Sequence, residues 1–148
     1  MPPQNTGKAA LKVITEGLQH ELRSSERSAG RVNAHLFVPG WVNTQLAFNY
    51  FREVKGDDFD PDADVPWSTA KPAAGAWMPD QTIDYLFDAV ADNRFYIICP
   101  DNDVTTEMDK KRIYWSAMDI VERDVPLSRW SPEYKEKFSA FMLTGGVD

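Results

Sequence analysis

The chain is poor in the features that staple, anchor or secrete a protein. A single cysteine, Cys99, permits no internal disulfide and points to a reducing compartment. No apolar run approaches the ~18 residues of a membrane span, and the opening MPPQNTGK holds no apolar signal core. A cytoplasmic location is therefore the default expectation. Positive charge is also scarce, with 16 Lys and Arg against 23 Asp and Glu, a formal charge of −7. Nucleic acid and anionic membrane surfaces both call for clustered basic residues, so neither is an expected partner. Histidine occurs only at His20 and His35. Neither has companions at metal-ligand spacing, so both read as structural and no metal is expected. There is no Gly-x-Ser-x-Gly elbow to carry a serine nucleophile. Nor is there a Gly-x-x-x-Gly-x-Gly turn to receive a pyrophosphate at a helix N-terminus.

What remains is the composition of a globular protein, 43% hydrophobic and 12% aromatic over 148 residues, enough for one domain with a core. Ala10, Val13, Ile14, Gly17, Leu18 and Leu22 recur at helical spacing and predict a first helix over 6–26 with one apolar stripe. The run Ala34 to Val38, stopped by Pro39-Gly40, predicts a strand over 34–38 buried on both faces. Residues 44–77 form a long, proline-rich lid that opens with a helical turn near Leu46 to Phe51. Its alternating Asp58, Asp60, Asp62 and Asp64 resemble the start of a calcium loop. However, Ala63 holds the glycine position and Thr69 that of the closing Glu, so a solvated acidic segment is expected.

Pro79 and Asp80 predict the start of a helix over 79–92, with Ile83, Leu86, Phe87 and Val90 as its buried stripe. Phe95 to Cys99 predicts a second strand over 95–99, with Cys99 as a small buried hydrophobe. Two helices follow within 105–142. The first carries Tyr114, Ala117, Met118 and Val121 at helical spacing, and the second carries Tyr134, Phe138, Phe141 and Met142. Trp115 and Trp130 read as packing anchors. Two parallel strands joined by a crossover are too few for an independent sheet, so the pattern reads as the end of a larger one.

The order Lys8, then Pro39-Gly40-Trp41-Val42-Asn43-Thr44, then lid, helix and strand, resembles the C-terminal half of the short-chain dehydrogenase/reductase family. The resemblance covers nearly the whole chain. It implies an α/β fold, an incomplete Rossmann-type arrangement forming the C-terminal part of a doubly wound parallel sheet. It implies NAD or NADP as cofactor and an alcohol or carbonyl compound as substrate. By that resemblance Lys8 is the lysine of a Tyr-x-x-x-Lys motif, holding the nicotinamide ribose and lowering the pKa of the catalytic tyrosine. Pro39, Gly40 and Val42 would line the nicotinamide, and Thr44 would hydrogen-bond its carboxamide or the adjacent phosphate. The first helix would belong to a pair that makes a homo-oligomer.

Two departures limit the implied activity. Gln4 stands where the tyrosine should be, and an amide cannot exchange a proton near neutral pH. By the same resemblance the family's glycine-rich half is expected to be missing. The expectation is a chain inactive by itself, or else a non-catalytic module that docks onto a full-length relative, or a truncated gene product.

Overall fold

The computed structural model describes residues 2–67, 71–123 and 125–145, with residues 2–6 described by backbone only. It divides into two compact units, Met1–Asp101 and Asn102–Asp148. The fold is mixed: helices together with a small two-stranded parallel sheet, which lies in the first unit.

In the first unit α1 (Pro2–Ser24) leads to β1 (Leu36–Val38). Next come α2 (Leu46–Lys55), α3 (Pro61–Asp64), α4 (Pro79–Ala91) and β2 (Tyr96–Ile98). Leu36 pairs with Tyr96, Phe37 with Ile97 and Val38 with Ile98. The ladder extends through Leu36 N to Phe95 O at 2.8 Å and Cys99 N to Val38 O at 2.9 Å. Pro39 cannot donate, which ends β1. Pro79 begins α4, where its missing N–H costs nothing, and the Gln81 side chain accepts from Met78 N at 2.9 Å.

The core of this unit gathers Leu36, Ala89, Ile97 and Cys99, all buried, with Val65 and Ala76 from the long connection. The face of α4 that packs inward corrects the expected stripe. Thr82 and Ala89 are buried, whereas Ile83, Phe87 and Val90 are exposed. Tyr85 Oη of the same helix donates to Ile98 O at 3.3 Å. The strands also differ from the expectation of burial on both faces. Val38 and Tyr96 are exposed, because a sheet of two strands has too little chain to cover both sides.

Helix α1 touches the sheet through its polar side. Tyr96 Oη donates to Glu16 Oε1 at 2.5 Å, and Lys12 Nζ lies 2.7 Å from the same oxygen. Gln19 accepts from Ala34 N at 2.7 Å and donates to Asn33 at 3.1 Å. The apolar stripe therefore faces solvent, with Val13 65%, Ile14 66% and Leu18 48% exposed. A Cβ added at Gly7 or Gly17 would meet nothing within 4 Å.

In the second unit α5 (Thr106–Met118) starts at Thr105, whose hydroxyl accepts from Met108 N at 3.2 Å. A π-helical turn, Asp119–Arg123, follows, and α6 (Lys135–Thr144) closes the unit. Trp115 is its buried anchor, against Phe138 at 5.2 Å and Phe141 at 5.3 Å. The line that packs runs through Trp115 and Asp119, so Tyr114 and Val121 of the expected stripe lie exposed. The π turn shifts the phase of the helix at that point. Trp115 Nε1 donates to Ser128 Oγ at 2.7 Å, and Ser128 Oγ donates to Asp119 Oδ1 at 2.5 Å. Arg123 completes the network, with its guanidinium 3.9 Å from the Trp115 ring centroid and 3.5 Å from Asp119. Trp130, by contrast, is 71% exposed, with Arg129 4.3 Å from its ring centroid.

Candidate functional site

The segment between β1 and α2 is held unusually tightly for a loop. Gly40 passes so close to the end of β2 that an added Cβ would sit 3.0 Å from Asp101 Oδ2, from Cys99 O and from the Pro100 carbonyl carbon. Only glycine permits that approach without displacing backbone. One residue on, Trp41 N donates to the same Asp101 carboxylate at 2.9 Å. Trp77 N then donates to Trp41 O at 2.9 Å, and Asn43 N to Trp77 O at 2.9 Å, around a parallel bridge between Val42 and Trp77. The Pro39–Thr44 loop is thus clamped on one side by the loop after β2 and on the other by the approach to α4.

This clamped loop is one wall of a cavity of about 850 Å³ within the first unit. Phe37 of β1 and Pro39, Gly40, Trp41, Val42 and Thr44 form that wall. The opposite wall is one face of α2, with Leu46, Ala47, Tyr50 and Phe51. Trp67, Pro79, Thr82 and Ile83 complete it. None of these side chains is charged. The cavity opens at the carboxyl end of β1, the end of parallel strands where ligands of α/β sheets settle.

Helix α2 explains how the lid keeps this wall in place. Its far side carries Phe48, edge-on to Phe59 at 5.0 Å, and Lys55, which pairs with Asp64. Asp60 caps α3 by accepting from Asp62 N at 3.0 Å and Ala63 N at 3.4 Å, and its own N–H donates to Asp64 at 3.1 Å. The acidic run is therefore spent on capping and on anchoring α2. Among the described residues no His, Cys, Asp and Glu cluster could hold a metal, while Thr69 lies outside them. The Lys55 ammonium holds the Asp64 carboxyl below its ordinary value, with a further contribution from the Asp60 N–H. A second cavity, of about 540 Å³, lies against Phe48, Pro61 and Val65 and shares Thr44, Trp67 and Pro79 with the first.

Burial raises the Cys99 thiol above its ordinary value, and the nearby Asp101 charge acts in the same direction. The thiol therefore stays neutral and is no nucleophile at pH 7. It is packing beneath the loop.

Of the residues singled out in the sequence, Pro39, Gly40, Val42 and Thr44 come together in the cavity wall. Lys8 lies exposed on α1 and does not line the cavity. Gln4 belongs to α1 by its backbone, and its side chain is outside the described residues. Ile83 and Thr82 were assignable to α4 from sequence, but their turn toward the cavity had no sequence signal.

A nicotinamide dinucleotide meets this site unevenly. A flat ring suits the apolar wall, and Thr44, whose Oγ1 accepts from Leu46 N at 3.3 Å, keeps its hydroxyl proton to donate. The pyrophosphate finds neither a cation nor a glycine-rich turn in the lining. The start of α4 is closed to it by Pro79, by the adjacent Asp80, and by Met78 N being committed to Gln81. No protein family, no curated protein and no solved structure matches the chain.

Proposed function

We propose that this chain supplies the substrate and nicotinamide end of an NAD(P)-dependent oxidoreductase of the short-chain dehydrogenase/reductase type, and that by itself it carries out no turnover. The observation that supports this reading is the Pro39–Thr44 loop, the segment that carries the family resemblance, forming one wall of an apolar cavity at the end of a parallel strand. Such a wall offers apolar and aromatic surface to a flat ring, while Thr44 offers one hydrogen-bond donor. The chemical step is another matter. Gln4 offers no acid/base group that works near neutral pH, and the lining offers no cation for the phosphates.

The second reading is a non-catalytic module that docks onto a second copy or a longer relative through α1. It is favoured by the solvent-facing Val13, Ile14 and Leu18. Nicotinamide absorbance separates enzyme from non-enzyme. With NADH or NADPH and a panel of aldehydes and ketones, the purified chain is expected to give no turnover above background. Restoring the tyrosine in Gln4→Tyr is expected to give none either, because orientation of the cofactor would still be wanting. Turnover that disappears in Lys8→Ala would contradict this.

A further inference from the structure

The composition of the cavity wall says more about its occupant than the resemblance does. Trp41 and Trp67 stand edge to face, with centroids 6.0 Å apart and planes at 88°, so together they present an aromatic corner. Tyr50 and Phe51 face it from α2, themselves edge to face at 5.4 Å. Ile83 adds an aliphatic surface from α4. Against this apolar surround stand the indole N–H groups of Trp41 and Trp67, the Tyr50 hydroxyl and two threonines. Thr82 Oγ1 is committed to Met78 O at 3.2 Å, and Thr44 Oγ1 can still donate.

We infer that the cavity binds a small, uncharged, ring-bearing molecule with one oxygen function, an aryl or polycyclic alcohol or ketone, in preference to a polyhydroxylated or ionic one. A volume of about 850 Å³ falls in the range that takes a molecule of drug-like size. A charged group would find no counter-charge among these side chains. A polyol would gain little from walls that are mainly apolar. A flat apolar ring instead gains stacking on the tryptophan corner, and a single oxygen can accept from Thr44. The loop clamped by Asp101 and Trp77 holds the backbone of Trp41, one side of that corner, in place before the ligand arrives.

This inference names the substrate class of the site proposed above and so rests on that reading, but its test needs no turnover. The probe is 2-naphthol, with myo-inositol as the polar ring of comparable outline, titrated into the full chain by calorimetry and by tryptophan fluorescence. Saturable one-to-one binding of 2-naphthol, with no detectable binding of inositol, is expected. Ala47→Arg and, separately, Ile83→Lys should each weaken 2-naphthol at least tenfold while leaving the far-ultraviolet circular dichroism unchanged. Leu18→Glu, on α1, should leave the affinity as it was. Three results would overturn the inference: no saturable 2-naphthol binding to a chain that melts cooperatively, inositol bound as well as 2-naphthol, or full affinity in both cavity variants. Carbonyl turnover by the purified chain would contradict the inactivity proposed above and leave this inference untouched. Absent 2-naphthol binding would do the reverse.

Discussion

Gly40 and Cys99 illustrate how single residues carry the site. Gly40 is fixed by sterics, since the end of β2 leaves no room for a Cβ. Cys99 is only 1% exposed, and its backbone carbonyl forms part of that close approach. Its role in the sequence was legible from the apolar run that it ends, whereas the contact with Gly40 joins residues far apart in the chain and had no local signal. Burial raises its folded-state pKa above the unfolded thiol value of about 8.5. Its contribution to stability is complete below that unfolded value and declines as pH rises above it, because the unfolded chain then ionises more readily. Native Cys99 is accordingly expected to react slowly with a disulfide reagent at pH 8 and quickly once the chain is denatured. Equal rates in the two states would show that the thiol is accessible and the floor of the loop open.

Among the elements, α1 departs furthest from what its pattern implied. The stripe of Ala10, Val13, Ile14, Leu18 and Leu22 is a plain helical signal, and the helix is there over Pro2–Ser24. Periodicity says which side is apolar and not which side meets the sheet. Glu16 and Gln19 decide that, through Tyr96 and Ala34, on the polar side. The same limit explains α4, where small Thr82 and Ala89 pack inward past larger Ile83 and Phe87. By contrast the stops and starts at Pro39-Gly40, Pro79 and Thr105 were readable, because proline geometry and side-chain capping act within a few residues. Helix α2 was only half legible, since Phe59 and Asp64, which anchor it, follow it among prolines and aspartates. Each Val, Ile or Leu of the α1 stripe, if fully buried, would contribute roughly 1.5–3 kcal/mol. The stripe is therefore expected to associate, giving a dimer or larger species that Leu18→Glu shifts toward monomer. Sedimentation showing wild-type monomer, with a cooperative melt and no hydrophobic-dye binding, would refute that.

At the scale of the whole molecule, the clamped loop after β1 borders an apolar cavity at the end of the parallel pair β1–β2, and the lining gives a dinucleotide's phosphates no cation to hold. The reading as the nicotinamide end of an oxidoreductase thus predicts contact with a nicotinamide ring, weakly and without chemistry. Trp41 and Trp67 in the cavity wall make this contact measurable, because energy transfer from tryptophan to NADH requires the reduced ring to come near them. The most direct measurement is a titration of the chain with NADH, exciting tryptophan and recording nicotinamide emission. The account predicts saturable transfer with a Kd on the order of 1 mM, about −4 kcal/mol, which disappears in Gly40→Val and is displaced by 2-naphthol. An absence of transfer at several times that concentration (roughly 5 mM), or transfer that survives Gly40→Val unchanged, would contradict it.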